Sequence, residues 1–184
     1  MAQTVRTFAY VIVGAGSAGC VLAARLSEDP STSVCLLEAG KRDTSLLIRV
    51  PLGIAAVVPR RIHNWGFKTT PQPGLGGRRG YQPRGKTLGG SSSINAMVYT
   101  RGHPGDYDEW AALGNPGWSY ADVLPYFRRS EHNERLADAY HGRGGPLNVA
   151  DPRSPSGFTE LWLKAAEERG HRRNTDFNGA LQEG

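Results

Sequence analysis

Long apolar runs, cysteines and export signals are scarce in this sequence. Among its 184 residues the longest unbroken apolar run covers residues 8–13 and stops at Gly14, whereas a membrane-spanning helix needs about 18 apolar residues or more. A transmembrane protein is therefore excluded. The two cysteines, Cys20 and Cys35, lack the spacing of a metal site and, without an export signal, predict buried thiols rather than a disulfide. The same absence predicts an intracellular, cytoplasmic protein, and peripheral association with the inner membrane stays open.

Acidic residues are missing from one long stretch. Between Arg49 and Arg101 there are nine basic residues and no Asp or Glu, whereas residues 105–184 carry 13 acidic and 9 basic residues. Such a stretch favours an anionic ligand, and nucleic acid, an anionic cofactor and a merely solvated basic face are the alternatives. No nucleic-acid-binding motif accompanies the stretch, so we expect no nucleic-acid partner.

What is present is typical of a globular, loop-rich chain. The sequence contains 24 Gly and 12 Pro, with 39% hydrophobic and 21% charged residues, and its length suits one domain and the beginning of a second. Helices are predicted at residues 106–113, at 120–131 after a Ser119 cap, and at the amphipathic segment 157–169. Residues 41–101 are irregular, with weak strand patterns near 65–67 and 97–99.

The N-terminal segment predicts a strand, a helix and a second strand. Residues 8–13 are apolar and β-branched, residues 17–27 place apolar side chains at helical spacing, and Val34–Leu37 is again apolar. Two strands that flank one helix within about 30 residues form a βαβ unit with parallel strands. The predicted fold class is therefore α/β.

A GxGxxG motif lies at the first turn of this unit. Gly14 permits the tight turn, Gly16 lets a pyrophosphate approach the backbone at the helix N-terminus, and Gly19 allows close helix packing. Glu38 ends the second strand 19 residues later, where its carboxylate can accept hydrogen bonds from ribose hydroxyls and disfavours a 2′-phosphate. The motif predicts NAD or FAD rather than NADP, and it does not separate the first two.

A second glycine-rich segment bears on the choice between NAD and FAD. Residues 85–95 read GKTLGGSSSIN, and the pattern continues through Tyr99 and Gly102 to Asp108. Paired glycines, three serines and an asparagine concentrate hydrogen-bond donors suited to a flavin or phosphate, and an ordinary serine-rich turn is the alternative. With the βαβ unit, this segment closely resembles the glucose-methanol-choline (GMC) oxidoreductase family, nearest to its choline dehydrogenase and alcohol dehydrogenase branch. The resemblance includes residues 63–65, 84–86, 106–110 and 117–120, and so extends over nearly the whole chain.

The resemblance implies a Rossmann-like FAD-binding fold with a parallel sheet, incomplete in this chain. The implied domains are an FAD-binding domain over residues 1–150, with a flavin-contacting loop at 84–102, and the truncated beginning of a substrate-binding domain over 151–184. Ile94 stands where some members attach the flavin through a histidine, so the resemblance implies non-covalent FAD. The predicted cofactor-binding residues are Gly14, Gly16, Ser17, Ala18, Gly19, Glu38, Ala39, Trp65, Thr87, Gly89, Gly90, Ser91, Asn95, Ala96, Met97 and Val98.

The resemblance also implies a reaction. A base removes the hydroxyl proton of a primary alcohol, choline-like, aliphatic or aromatic, and the carbon then delivers hydride to flavin N5 to give the aldehyde. The base, a histidine paired with His or Asn, belongs to the C-terminal part of longer family members. We therefore expect no catalytic residue and no metal site in this chain.

The roles of the histidines, the electron acceptor and the oligomeric state are open from the sequence alone. Of the five histidines, His63 has the best claim to a place near the flavin, by family position alone. The electron acceptor and the oligomeric state are not predicted. The alternative functions are a non-catalytic flavin-binding fragment and an FAD-dependent hydroxynitrile lyase.

Overall fold

The computed structural model describes residues 5–183, which form two compact units. The first unit extends to Val98 and the second begins at Tyr99. The predicted domains, 1–150 and 151–184, have a different boundary and stay a prediction.

The first unit begins with the predicted βαβ arrangement. Strand β1 (Tyr10–Val13) leads into helix α1 (Ser17–Leu26), and strand β2 (Val34–Leu37) returns beside β1. The two strands are parallel, with a register from Tyr10 opposite Val34 to Val13 opposite Leu37. The α/β prediction for this segment is confirmed.

The segment predicted to be irregular contains short elements. Helices α2 (Leu46–Arg49) and α3 (Ile54–Arg60) are separated by a 3-10 turn, and strand β3 (Phe67–Lys68) pairs antiparallel with β4 (Tyr81–Gln82). The weak strand signal near 65–67 therefore corresponds to β3.

The strand predicted at 97–99 is wrong. Met97 has a φ of +58°, and the Asn95 side chain accepts a hydrogen bond from the Met97 N–H at 2.9 Å. This local turn holds the backbone in the left-handed region, which interrupts an extended strand.

The second unit contains the three predicted helices. They are α4 (Pro104–Ala112), α5 (Tyr120–Ser130) and α6 (Gly157–Glu168). Helix α4 begins before the predicted residue 106 because His103 and Asp106 form a reciprocal capping box and Pro104 occupies the first turn. Strands β5 (Glu131–Asn133) and β6 (Leu147–Val149) form a short parallel pair that periodicity did not predict.

Apolar burial is sparse in both units. In the first unit the buried apolar residues are Ala15, Val57 and Ile94, whereas Val13 on β1 is 83% exposed. The buried residues of the second unit are polar: Arg101, Glu131, Asn133 and His141. Cys20 and Cys35 are free thiols of intermediate exposure.

Two structural absences concern the predictions of a membrane span and a metal site. No helix within residues 5–183 is both long enough and apolar enough to span a membrane. Over the same residues, no three His, Cys, Asp or Glu side chains come together as a metal site would require.

Candidate functional site

The glycine motif forms a tight turn between β1 and α1. Gly14 has a φ of +96°, which favours glycine, and its N–H donates to the Leu37 carbonyl at 2.7 Å. Gly16 then caps α1, which begins at Ser17. The turn therefore directs the N-terminus of α1, with its unsatisfied N–H groups, toward the ends of both strands.

Gly16 and Gly19 have different surroundings. A Cβ added to Gly19 would lie 1.9 Å from the Gly14 carbonyl oxygen, whereas a Cβ added to Gly16 would meet nothing within 4 Å. Gly19 is thus required by the protein's own packing. The space beside Gly16 is open, as a backbone that receives a diphosphate needs.

A cleft of about 750 Å³ lies at this turn, within the size range of small-molecule sites. Eight predicted residues line it: Gly14, Gly16, Ser17, Glu38, Ala39, Trp65, Gly90 and Ser91. Three further lining residues, Val13, Leu37 and Phe67, were not predicted. Arg84 and Gly85 also line the cleft, and they belong to the predicted loop 84–102 without having been named as cofactor-binding residues.

Glu38 holds the turn as well as facing the cleft. Its Oε2 accepts from the Ala15 N–H at 2.8 Å, and its Oε1 accepts from the Gly40 N–H at 2.8 Å. A carboxylate has about four acceptor positions, so each oxygen retains capacity for a further donor such as a ribose hydroxyl.

The second glycine-rich segment packs against the GxGxxG turn. The Gly89 N–H donates to the Ala15 carbonyl at 2.7 Å, and the hydroxyls of Ser17 and Ser92 share a hydrogen bond. A Cβ on Gly90 would come within 2.7 Å of the Gly16 Cα. Only a glycine at position 90 permits this approach of the two backbones.

Some predicted residues support the cleft without lining it. Thr87 is fully buried, and its hydroxyl donates to the Lys41 carbonyl at 2.8 Å. Gly89 acts through the bond to Ala15 described above, and Ala18 and Gly19 lie in the first turn of α1 without lining the cleft.

An aromatic pair forms one side of the cleft. The rings of Trp65 and Phe67 stack with centroids 5.8 Å apart and planes 7° apart, and the Lys86 ammonium lies 4.2 Å from the Trp65 centroid. Phe67 begins β3, and the Gly66 before it has a φ of +66°, so the chain turns between the two aromatic residues. Alternation along a strand therefore does not account for the position of Phe67, and the sequence carries no periodic signal for it.

The basic stretch does not form one patch. Arg84 lines the cleft, whereas Arg101 is buried in an ion pair with Glu131 in the second unit. Of the alternatives that the sequence left open, the position of Arg84 favours an anionic ligand in the cleft.

A smaller cavity of about 280 Å³ lies between helices α2 and α3 and the segment 92–97. Of the predicted residues, Asn95 and Met97 line it, and Ile94 contributes an apolar wall. Ala96 and Val98 are exposed and line neither cavity. His63 also lines neither, and its carbonyl accepts from the Lys86 N–H at 2.7 Å.

Comparison with known proteins identifies the family. A family model described as GMC oxidoreductase matches residues 8–184. This chain belongs to the GMC oxidoreductase family. Membership confirms the predicted family, the FAD-binding α/β fold and FAD as the cofactor.

Individual relatives agree with this assignment. The chain is 52% identical over 176 residues to an alcohol dehydrogenase [acceptor] of Pseudomonas putida, covering 95% of this chain and 32% of that protein. It is 46% identical over 175 residues to an oxygen-dependent choline dehydrogenase of Sinorhizobium fredii, with coverage of 95% and 32%. The chain thus spans about a third of the length of these relatives.

Solved structures share the fold. Pyridoxine 4-oxidase from Mesorbium loti superposes with a TM-score of 0.85 at 38% identity, covering 94% of this chain and 34% of that chain. An FAD-dependent oxidoreductase from Chaetomium thermophilum gives a TM-score of 0.81 at 37% identity, with coverage of 94% and 31%.

Proposed function

We propose that this protein is an FAD-dependent oxidoreductase that oxidises a primary alcohol to the aldehyde by hydride transfer to flavin N5. The observation that carries the proposal is the cleft at the start of α1, with Glu38 on one wall and Trp65 on another, in a chain 52% identical to an alcohol dehydrogenase. Choline-like, aliphatic and aromatic alcohols are all candidate substrates.

The cleft offers a separate group for each part of an ADP moiety. We assign the diphosphate to the open backbone at Gly14, Gly16 and Ser17, because helix N-terminal N–H groups bind anions, with Arg84 supplying a balancing charge. The ribose is assigned to the acceptor positions that Glu38 retains. The flat, half-exposed faces of Trp65 and Phe67 suit the adenine ring.

The flavin-side residues are assigned by family position. We place Asn95, Ala96, Met97 and Val98 along the isoalloxazine ring, which supplies the hydride acceptor when FAD is bound. Ile94 has no nucleophilic atom, and it is 7% exposed. Attachment of the flavin through position 94 is therefore excluded chemically.

This chain supplies binding groups but no assigned base. Within the described residues, the linings of the two cavities contain the ionisable groups Glu38, Asp43, Arg49 and Arg84 and no histidine. We assign removal of the alcohol proton to a group outside residues 1–184. The 32% coverage of the alcohol dehydrogenase favours a second candidate for these residues alone, a flavin-binding part without turnover. The cytoplasmic location stays a prediction.

The test is anaerobic reduction of the flavin in the complete protein. Addition of a primary alcohol or choline should bleach the oxidised flavin spectrum and yield the aldehyde. A colourless protein that binds NAD but not FAD would contradict the cofactor assignment. Cleavage of a cyanohydrin without bleaching would favour the lyase instead.

The flavin should be released when the protein is denatured, because Ile94 cannot form the link. Acid precipitation should leave the yellow colour in the supernatant. Colour retained in the pellet would show that another residue attaches the flavin.

A further inference from the structure

His141 is a buried histidine that the proposed function does not use. It is 2% exposed. Its Nδ1 lies 3.0 Å from Oε1 of Glu131, and its Nε2 lies 3.0 Å from Oδ2 of Asp176. Both ring nitrogens therefore face a carboxylate oxygen.

The number of protons on the ring decides whether both contacts are favourable. An ionised carboxylate only accepts hydrogen bonds, and a neutral imidazole has one N–H donor whereas the imidazolium has two. The doubly protonated ring satisfies Glu131 and Asp176 together. When the ring loses one proton, one ring nitrogen keeps only its lone pair, and that lone pair faces an ionised carboxylate.

The charges around the ring favour the imidazolium. Burial by itself lowers the pKa of His141, but the bonds and charges of Glu131 and Asp176 outweigh it and raise the pKa above its ordinary 6.5. Arg101 Nη2 pairs with Glu131 Oε2 at 2.7 Å, so two cations and two anions balance when His141 is charged.

Burial indicates which contact is lost on deprotonation. The Glu131 side chain is fully buried, whereas the Asp176 side chain is 25% exposed. An unsatisfied carboxylate is far less favourable in a buried position than beside water. The remaining proton therefore stays on Nδ1, toward Glu131, and Asp176 faces the lone pair of Nε2.

One neighbouring amide offers the other tautomer a partner. Asn133 Nδ2 donates to Glu131 Oε1 at 2.9 Å and lies 3.2 Å from His141 Nδ1. The amide NH2 has two N–H donors, so a bond to Nδ1 does not by itself cost Glu131 a donor. The assignment of the remaining proton to Nδ1 therefore rests on the deeper burial of Glu131.

Asp176 belongs to a segment that polar contacts hold in place. Residues 174–182 contain no helix or strand. Asn178 accepts from the Arg101 N–H at 2.7 Å, Gln182 Nε2 donates to the Arg101 carbonyl at 2.7 Å, and Asp176 Oδ1 accepts from the Asn178 N–H at 3.0 Å. Release of Asp176 thus loosens the turn that presents Asn178 to Arg101.

We propose that His141 is a proton-dependent switch, which holds residues 174–182 against the rest of the second unit while its ring carries two protons and releases Asp176 when one proton is lost. This inference does not depend on the proposed function.

Other charged groups lie near the ring. A depression of about 480 Å³ is lined by His141 together with Arg128, Arg129, Asp138 and Arg143. Asp138 accepts from the backbone N–H of His141 at 2.9 Å. The negative charge of Asp138 favours the imidazolium, whereas the charges of the three arginines oppose it. The Arg135 guanidinium donates to the Thr175 carbonyl at 3.0 Å and is a further contact that holds this segment.

The direct test is an NMR titration of the histidine side chains. The His141 resonance should titrate above pH 6.5, and its neutral form should carry the proton on Nδ1. Asp176→Asn should lower the His141 midpoint. A His141 midpoint at or below pH 6.5 would overturn the proposal.

A second test measures the segment itself. Chymotrypsin cleavage at Phe177, which is 50% exposed, should accelerate roughly ten- to hundredfold as His141 loses its proton, the range expected for one hydrogen bond to a charged group. The His141→Gln variant should be cleaved rapidly at every pH. Its cleavage rates therefore serve to correct for the protease's own pH dependence. His171→Gln is the matched control. A constant ratio of wild-type to His141→Gln cleavage rates across the titration would also overturn the proposal.

Discussion

At the scale of single residues, Gly16 is the position at which cofactor binding and folding can be separated. A Cβ there meets no protein atom within 4 Å, yet a side chain occupies the space assigned to the diphosphate. We expect Gly16→Val to abolish FAD binding while the circular dichroism and the thermal midpoint of the cofactor-free protein stay unchanged.

Gly19→Ala is the contrasting variant, because its Cβ would lie 1.9 Å from the Gly14 carbonyl oxygen. It should lower the thermal midpoint of the cofactor-free protein. Equal FAD affinity in wild type and Gly16→Val, measured by fluorescence titration, would place the diphosphate elsewhere.

The residues that the sequence predicted well are those governed by local geometry. Gly14, Gly16 and Glu38 belong to one βαβ unit, whose spacing fixes their placement once the strands and helix are recognised. Glu38 also shows what spacing leaves out, because its bonds to Ala15 and Gly40 depend on the exact path of two loops.

Arg84 was predicted as part of the loop 84–102 but not as a cofactor-binding residue. It reaches the cleft through pairing of distant segments, seen in the Trp65 N–H donating to the Arg84 carbonyl at 2.9 Å. Such pairing has no periodic signature in the sequence. The absence of acidic residues between Arg49 and Arg101 and the glycine-rich segment 85–95 pointed to this region as anion-binding without singling out Arg84.

At the scale of elements, the approach of the segment 89–93 to the start of α1 should control the shape of the cleft. Gly90→Ala would place a Cβ 2.7 Å from the Gly16 Cα and force the two backbones apart. We expect this substitution to weaken FAD binding at least tenfold, measured as the dissociation constant.

Gly76→Ala is the matched control for Gly90→Ala. Gly76 has a φ of +60° against +57° for Gly90, but its Cβ would meet nothing within 4 Å. Both variants carry the same backbone strain, so a difference between them reports the contact with Gly16. Equal FAD affinities of the two variants would contradict the role assigned to this contact.

The helices that the sequence predicted are the longer ones. Helices α1, α4, α5 and α6 each extend over 9 residues or more, which is enough for a helical repeat to show. Helices α2 and α3 have 4 and 7 residues, and α3 contains Pro59. Strands β5 and β6 have 3 residues each, too few for a period of two to be distinguished from chance.

At the scale of the whole molecule, Glu131 and His141 predict how the stability of the second unit depends on pH. Burial raises the pKa of Glu131, but its hydrogen bonds and Arg101 bring it below the ordinary 4.5. The Glu131 contribution is therefore present above pH 4.5 and is lost as the pH falls through the lowered pKa. The pKa of His141 is raised above 6.5, so its contribution is present below pH 6.5 and is lost as the pH rises through the raised pKa.

These two groups together predict greatest stability of the second unit between pH 4.5 and 6.5. Urea unfolding of a Trp65→Phe variant, in which the remaining tryptophans all lie in the second unit, measures it by fluorescence. A midpoint that continued to rise from pH 6.5 to pH 9 would contradict the prediction, and His141→Gln should flatten the alkaline side of the profile.

The 184 residues by themselves are expected not to turn over an alcohol. They hold the cleft and the segment 95–98, but no base is assigned among them, and a positioned base contributes about 10² to 10⁴-fold to such a reaction. The walls that would orient the substrate are likewise unassigned, and orientation can supply about 7 to 11 kcal/mol of the barrier.

Exposed apolar surface should lower the solubility and the FAD retention of residues 1–184 in isolation. Val13 on β1 and Trp162 on α6 are 83% and 68% exposed, and exposed apolar patches of this kind promote association, so we expect poor solubility and weak FAD retention. The experiment assays residues 1–184 beside the Pseudomonas putida relative, with choline, simple primary alcohols and an artificial electron acceptor. Turnover comparable to that of the relative would show that the base lies within these residues and that the assignment of proton removal to another part of the protein is wrong.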